Sequence, residues 1–497
     1  MNQTANYLAF DLGAESGRAV VGRYDGERLD LSTLHRFFNN PVRILDSLYW
    51  DVLGLFAEMK KGLGLYRRHE GDHLEGIGLD TWGVDFALLG RNGKLLSNPR
   101  HYRDPRTEGM LQTAFERVPR EEIFEHTGIQ FMEINTLYQL LSMKLSHDPT
   151  LDLAEMLLMM PGLLNYWLTG VKACEFTAAT TTQFYDPREK EWSRALLQKL
   201  GLPTHILTDI VQPGTVLGPL YPNIAEETGL EGVSVIAPAC HDTGSAVAAV
   251  PAQGEGFAYI SSGTWSVMGI ENVEPIINEK SLAHNLTNEG GVCGTFRVLR
   301  NIMGLWLVQE SRRTWAQQGD ELSYDQITAL AAKAPAFGPL VEPDCRDFLR
   351  PGDMPTRIRQ VCARTGQKPP ETKGEIVRCA LESLALKYRF VLENLQSLQD
   401  KPLDTIHIVG GGARNRLLCQ ITADATQRMV IAGPAEATAT GNILMQALAN
   451  GRIASLSEAR EIVRRSFDLV TYEPRSSAGW DDAYARFMWV KGQVEEF

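Results

Sequence analysis

One local pattern occurs twice in this chain and limits the fold more than any other feature. An apolar strand, Tyr7–Asp11, runs through Leu12-Gly13-Ala14-Glu15-Ser16-Gly17-Arg18 and returns as a second strand, Ala19–Tyr24. Phe257–Ser261, Ser262-Gly263-Thr264 and Trp265–Ile270 repeat that pattern beyond a hinge near Thr243–Gly254. A chain of 497 residues has room for two or three domains, and the duplication favours two related α/β halves. Each half continues in its own way. The first has the turn Asp25-Gly26-Glu27, a third strand Leu29–Phe37, a helix Val52–Tyr66 and strands Leu74–Leu79 and Val84–Leu89. This is not a simple βαβαβ order. Helical spacing then dominates from Arg106 to Thr169, with Leu151–Leu168 as a core helix, and Pro187–Lys199 reads as another. In the second half Gly291–Leu299 is extended, and Met303–Gln317 and Tyr324–Ala334 are helical. Phe337–Met354 is loop and Glu371–Leu398 a long amphipathic helix. Leu403–Val409 is a strand, Asn415–Thr426 a helix, Met429–Ala432 a strand and Glu436–Leu448 the last main helix, with Asp481–Val494 as a terminal one.

A net charge of −12 argues against a nucleic-acid surface, which needs clustered Lys and Arg. It leaves anionic small ligands open, since backbone amides and a few cations hold those. Met1–Asn6 has no basic start, and Glu155, Pro161, Gly162 and Asn165 interrupt the most apolar stretch, so neither a leader nor a membrane span is expected. Seven scattered cysteines suit a reducing cytoplasm; Cys362 and Cys379 would meet only if their helices pack. A monomer or small homo-oligomer is expected.

The richest chemistry lies at Val233–Val247. The apolar run Val233–Ala239 reads as a buried strand that breaks into Cys240-His241-Asp242-Thr243-Gly244. A carboxylate there, beside an imidazole and a hydroxyl, is either a general base or a cap on the following helix. The turns Gly13–Gly17 and Ser261–Thr264 are either hairpin turns or, as a pair, a phosphate clamp built from amides. Asp11 beside such a clamp is a candidate Mg²⁺ ligand. Gly410-Gly411-Gly412, between a strand and a helix, admits either a ligand or close packing. Asp80 and Asp85, flanking Gly83, would hold sugar hydroxyls or cap turns, and Arg100–Arg106 reads as a solvated charged loop. His69-Glu70-Gly71-Asp72-His73 matches a zinc-protease string, but Gly71 and Asp72 fall where a helix ends, so the imidazoles would not share a face.

Several of these strings resemble the FGGY family of carbohydrate kinases, on the scaffold shared by actin, hexokinase and the Hsp70 chaperones. They include Asp11–Arg18, Asp80-Thr81-Trp82-Gly83-Val84-Asp85-Phe86, Asn135–Leu140 and Ala179–Gln183. Further on are His241-Asp242-Thr243, Ser261–Ser266, Thr287-Asn288-Glu289-Gly290-Gly291, Arg300–Trp306 and His407–Gly412. The resemblance implies two actin-like, ribonuclease H-like α/β domains around a central cleft. Residues 1–245 would bind sugar and carry the base, and 246–497 would bind nucleotide. It is strongest toward members that phosphorylate L-rhamnulose at O1 with ATP and Mg²⁺ in L-rhamnose breakdown. Xylulose, fuculose or ribulose kinases, or a nucleotide-dependent switch protein, are the rivals. The resemblance implies Asp242 as base and Gly83, His241, Asp242 and Thr243 on the ketose. It implies Ala14, Glu15, Ser16, Gly17, Arg18, Thr264, Asn301, Gln309 and Gly411 on ATP, and Asp11 on the metal. Many relatives carry hydroxyls where this chain has Ala14 and Glu15.

Overall fold

The structure is a computed structural model describing residues 4–475 and 477–496; Met1-Asn2-Gln3 of the chain's start lie outside these. Compactness divides the chain into two discontinuous units. Met1–Gln253, Glu271–Val298 and Ala437–Phe467 form the first; Gly254–Ile270, Leu299–Glu436 and Asp468–Phe497 form the second. The expected boundary after residue 245 follows chain order, whereas two segments beyond it return to the first unit.

The first unit is built on six strands: β1 (Ala5–Leu12), β2 (Ser16–Tyr24), β3 (Leu29–Phe38), β4 (Gly76–Thr81), β5 (Thr215–Pro219) and β6 (Ser234–Ala237). Their order is β5-β6-β4-β1-β2-β3. The central pairs β1–β4 and β4–β6 are parallel, and the flanking pairs antiparallel. β1 and β4 are buried along nearly their whole length, as strands covered on both faces must be. Helix Val52–His69 covers one face, capped by Asp51 and ending in Arg67, Arg68 and His69, where cations complement the helix dipole. Helix Ala437–Ala449 covers the other. It approaches so closely that a Cβ on Gly78 would lie 2.1 Å from Asn442 Oδ1. A Cβ on Gly441 would lie 1.8 Å from the carbonyl of Ser245, where this helix crosses helix Asp242–Ala248.

The second unit repeats the scheme in six strands of a seven-stranded sheet: β7 (Phe257–Ser262), β8 (Trp265–Asn272), β9 (Phe296–Met303), β10 (Thr405–Val409), β11 (Met429–Ala432) and β12 (Val470–Tyr472). Their order is β9-β8-β7-β10-β11-β12, with β7–β8 antiparallel, β7–β10 and β10–β11 parallel and β11–β12 antiparallel. The 24-residue helix Lys373–Gln396 starts at a Thr372–Glu375 capping box.

Several expectations are corrected. Leu151–Leu168 is not one helix: Met156–Met159 pairs antiparallel with Phe86–Leu89, and helix Met160–Thr169 follows. An unbroken Leu/Met run has no period to separate strand from helix. In Pro187–Lys199 only Arg194–Lys199 is helical, because Asp186 Oδ1 accepts from the amides of Arg188 and Glu189 and turns the chain first. The extended run in Gly291–Leu299 begins only at Phe296 and continues to Met303. The loop Phe337–Met354 holds a helical turn, Arg346–Phe348, and at its end helix Met354–Arg364 begins, capped by Asp353. Helix Leu456–Ser466 follows what was expected to be the last main helix. The Arg100–Arg106 loop is not solvated: His101, Tyr102, Arg103 and Asp104 are buried, and His101 stacks on Trp50 at 4.2 Å.

Candidate active site

Two carboxylates lie at the ends of two neighbouring strands of the first sheet, and a third follows the next strand, β6. Asp11 on β1 lies directly opposite Asp80 on β4 in parallel register. Beyond β6 the chain stays alongside: Thr81 N donates to the Cys240 carbonyl at 2.9 Å, and Thr81 bridges to His241. Asp242 follows at once. The carboxyl ends of parallel strands are where such sheets bind ligands. Asp11 forms an ion pair with Arg18. Asp80 has no exposure; its Oδ2 accepts from Asn442 Nδ2 at 2.6 Å, while its buried Oδ1 has no partner. Burial and the charge of Asp11 push the Asp80 carboxyl well above the usual range.

Asp242 keeps 28% of its side-chain exposure and accepts from the Thr243 hydroxyl at 3.1 Å. Desolvation raises its carboxyl, the His241 imidazole opposes that shift and Asp11 adds to it. As for the cap reading, the N-cap position falls on His241, and Asp242 is the first helical residue.

His241 is fixed from behind. Its amide donates to Thr177 Oγ1 at 2.9 Å, and the Cys240 amide donates to Glu175 Oε2 at 3.0 Å. Glu175 also accepts from the Thr177 hydroxyl and the Thr177 and Ala178 amides, and burial raises its carboxyl to about 7. His241 Nδ1 lies 3.1 Å from Glu289 Oε2 and 3.2 Å from Arg297 Nη2, and Arg297 donates to Glu289 at 3.1 Å. This leaves Nε2 facing Asp242 Oδ1 at 3.5 Å. On the same side, a Cβ on Gly83 would lie 3.3 Å from Nε2, so a side chain there would crowd the imidazole.

Next to Gly83, Val84 has φ +65°, a costly conformation for a β-branched residue. Motif residues hold it: its amide donates to Thr181 Oγ1 at 3.1 Å, and its carbonyl accepts from Thr136 Oγ1 at 2.6 Å. Asp85, expected either to hold sugar hydroxyls or to cap a turn, is already engaged within the protein. Its carboxylate is fully buried and accepts from Trp50, Trp82, Gln139 and the Tyr102 amide at 2.6–3.1 Å. Burial lifts that carboxyl to about 6.

The first turn is closed by Gly13 N donating to the Ser16 carbonyl at 3.0 Å. It is tied to Asn39, whose amide donates to the Glu15 carbonyl and whose side chain donates to that of Gly13. Ala14, Glu15, Ser16, Gly17 and Arg18 thus share one hairpin. In the second unit, Gly304 N and Leu305 N donate to the carbonyls of Thr264 and Gly263. These bonds join the β7–β8 turn to the end of β9, which carries Asn301, and to helix Trp306–Gln317, which carries Gln309 in its first turn. Gly410 has φ +81°, and a Cβ on Gly412 would sit 2.0 Å from Ser262 Oγ. The glycine run therefore packs on the turn that bears Thr264, while at Gly411 the space for a Cβ is open.

Among the described residues, no three His, Cys, Asp or Glu side chains converge to hold a metal, and no helix is long and apolar enough to cross a membrane. Asp11 and the unpartnered oxygen of Asp80 fit instead an ion that takes oxygen ligands and keeps several waters. Cys362 and Cys379 are buried free thiols. The helix of the His69–His73 string ends at His69, and Glu70 binds Arg23. Sequence reasoning missed Glu175, Thr177, Glu289, Arg297 and Asn442. Glu289 lies within the family-like string Thr287–Gly291; Asn442 gives no local signal, because its partner Asp80 is 362 positions away.

The sequence matches two known domain families: the N-terminal domain of the FGGY family of carbohydrate kinases over residues 6–249 and its C-terminal domain over 258–450. A rhamnulokinase of Bacteroides thetaiotaomicron is 44% identical over 97% of this chain and 98% of its own. One from Bacillus subtilis is 37% identical over 94% of this chain and 95% of its own. Among solved structures, a ligand-bound xylulose kinase from Lactobacillus acidophilus superposes with a TM-score of 0.81 at 17% identity, covering 98% of each chain. A glycerol kinase from Plasmodium falciparum with ADP gives 0.76 at 15% identity, covering 99% of this chain and 97% of its own. By sequence and by fold, the chain belongs to the FGGY family of carbohydrate kinases.

Proposed function

We propose that the chain is a rhamnulokinase, transferring the γ-phosphoryl group of ATP to O1 of L-rhamnulose in the cytoplasm, as a step of L-rhamnose catabolism. The observation that carries this reading is the half-buried Asp242 beyond the strand ends, beside an imidazole whose Nε2 faces both Asp242 and Gly83. Asp242 takes the proton of O1 as that oxygen attacks, and its raised carboxyl pKa suits it to hold the proton. His241, Thr243 and Gly83 line the ketose. Ala14 to Arg18, with Thr264, Asn301, Gln309 and Gly411, hold the nucleotide, largely through backbone amides; Ala14 can offer only its amide. A Mg²⁺ ion bound with ATP, held by Asp11 through water, would offset charge on the phosphates. Transfer of this kind rests on positioning and electrostatics more than on covalent chemistry.

The residues proposed for the acceptor, Gly83, His241, Asp242 and Thr243, all belong to the first unit. ADP release with and without L-rhamnulose tests the reading. Strong stimulation by the sugar is expected; slow ATP hydrolysis that ignores the sugar would assign the chain to nucleotide-dependent switches instead.

A further inference from the structure

Asp80 is the one carboxylate of the strand-end group for which the proposed chemistry has no use. It has no exposure, one oxygen without a partner, and two acidic neighbours, Asp11 and Asp242. Arg18, the guanidinium whose charge acts on Asp80, is engaged by Asp11. A side chain needed only to anchor helix Ala437–Ala449 would need a single acceptor for Asn442. An amide or hydroxyl would supply one without burying charge beside charge. The support behind Asp80 is nonetheless elaborate. Asn442 Nδ2 holds Oδ2 at 2.6 Å, Gln446 Nε2 holds Asn442 Oδ1 at 2.8 Å, and the same Gln446 nitrogen reaches the Leu8 carbonyl on β1 at 3.2 Å. Gly78, on the same face of β4, leaves the space these amides fill. This chain of bonds fixes Oδ2 and leaves Oδ1 on the face shared with Asp11, which lies opposite in register.

We infer that Asp80 is a second carboxylate of the nucleotide's divalent-cation site, its free Oδ1 accepting hydrogen bonds from the hydration shell of the ion that Asp11 faces. The inference rests on the kinase reading above. A positive ion with bound waters offers what this oxygen lacks, donors and opposite charge. Carboxylates that orient a metal's outer shell typically change its affinity by roughly 10- to 100-fold. Asn442 is then a positioning residue, acting through Asp80.

The test is Mn²⁺ binding to the full chain in the presence of ADP, read by the electron paramagnetic resonance of free Mn²⁺, for the parent and Asp80→Asn. The variant should bind Mn²⁺ roughly 10- to 100-fold more weakly, with ADP affinity in EDTA unchanged. Parent-like Mn²⁺ affinity in Asp80→Asn would overturn the assignment and leave the kinase reading standing. Failure of the parent to bind Mn²⁺ with ADP would remove both. Should Asp80→Asn not fold, Asn442→Ala keeps the carboxylate but frees its orientation. A several-fold loss of Mn²⁺ affinity there supports the assignment, and no loss overturns it.

Discussion

The two sheets share one wiring and differ at their ends. From the hairpin outward, β2-β1-β4-β6-β5 and β8-β7-β10-β11-β12 run antiparallel, parallel, parallel, antiparallel. Where Asp11 faces Asp80 in the first, Ser261 faces Val409 in the second. The first sheet therefore presents carboxylates, suited to a proton and a cation. The second presents amides, hydroxyls and glycines, suited to phosphate. Buried charge is also handled differently. In the second unit Lys387, without exposure, lies 2.7 Å from Glu342, 2.9 Å from Asp344 and 3.2 Å from Glu496. In the first, Arg297 meets Glu289 in the same way, but Asp80 and Glu175 have no such cation. Compensated buried charge holds a structure together, and uncompensated charge more often marks where a ligand completes it.

The largest expected effect follows from the carboxylate side. Asp242→Asn should cost on the order of 10²–10⁴ in kcat while ADP affinity, measured by calorimetry, stays near that of the parent; near-normal turnover would remove the base from Asp242. On the compensated side, Lys387→Met leaves several carboxylates buried without their cation. It should lower stability by about 3–5 kcal/mol in denaturant melts, since breaking one partner of a buried pair costs that much. An unchanged midpoint would mean that the cluster is not structural. Making the second sheet resemble the first is a direct way to break the comparison. Ser261→Asp places a carboxylate at the proposed phosphate turn and should weaken ATP binding by about tenfold or more, through like-charge repulsion, with the KM for sugar unchanged.

The smallest effect is a pH dependence. The Glu175 carboxyl sits at about 7 in the folded chain, above its unfolded value. Its contribution to stability is therefore fully present below the unfolded pKa and is lost as pH rises through about 7. The stability gap between the parent and Glu175→Gln should narrow from pH 5 to 8, by at most about 1.4 kcal/mol per pH unit. A gap independent of pH would mean that Glu175 does not titrate in that range.

The duplication was legible because strand, turn and strand are adjacent in sequence, and His241-Asp242-Thr243 because a buried strand breaks there into polar residues. What escaped depends on contacts distant in sequence. The return of Ala437–Ala449 to the first sheet is written in Gly78 and Gly441, whose meaning needs the partner helix. Asp85 looked like Asp80 until Trp50, Trp82, Gln139 and Tyr102 converged on it. The Arg100–Arg106 loop looked solvated because charge, not burial, is what a sequence displays.

The most direct test of the central claim is a panel of L-rhamnulose, L-fuculose, D-xylulose and L-ribulose under saturating MgATP, with ADP release giving kcat/KM for each. L-rhamnulose should lead by at least about tenfold, the discrimination that roughly 1.4 kcal/mol of differential binding gives. A higher kcat/KM for any other ketose would contradict the assignment.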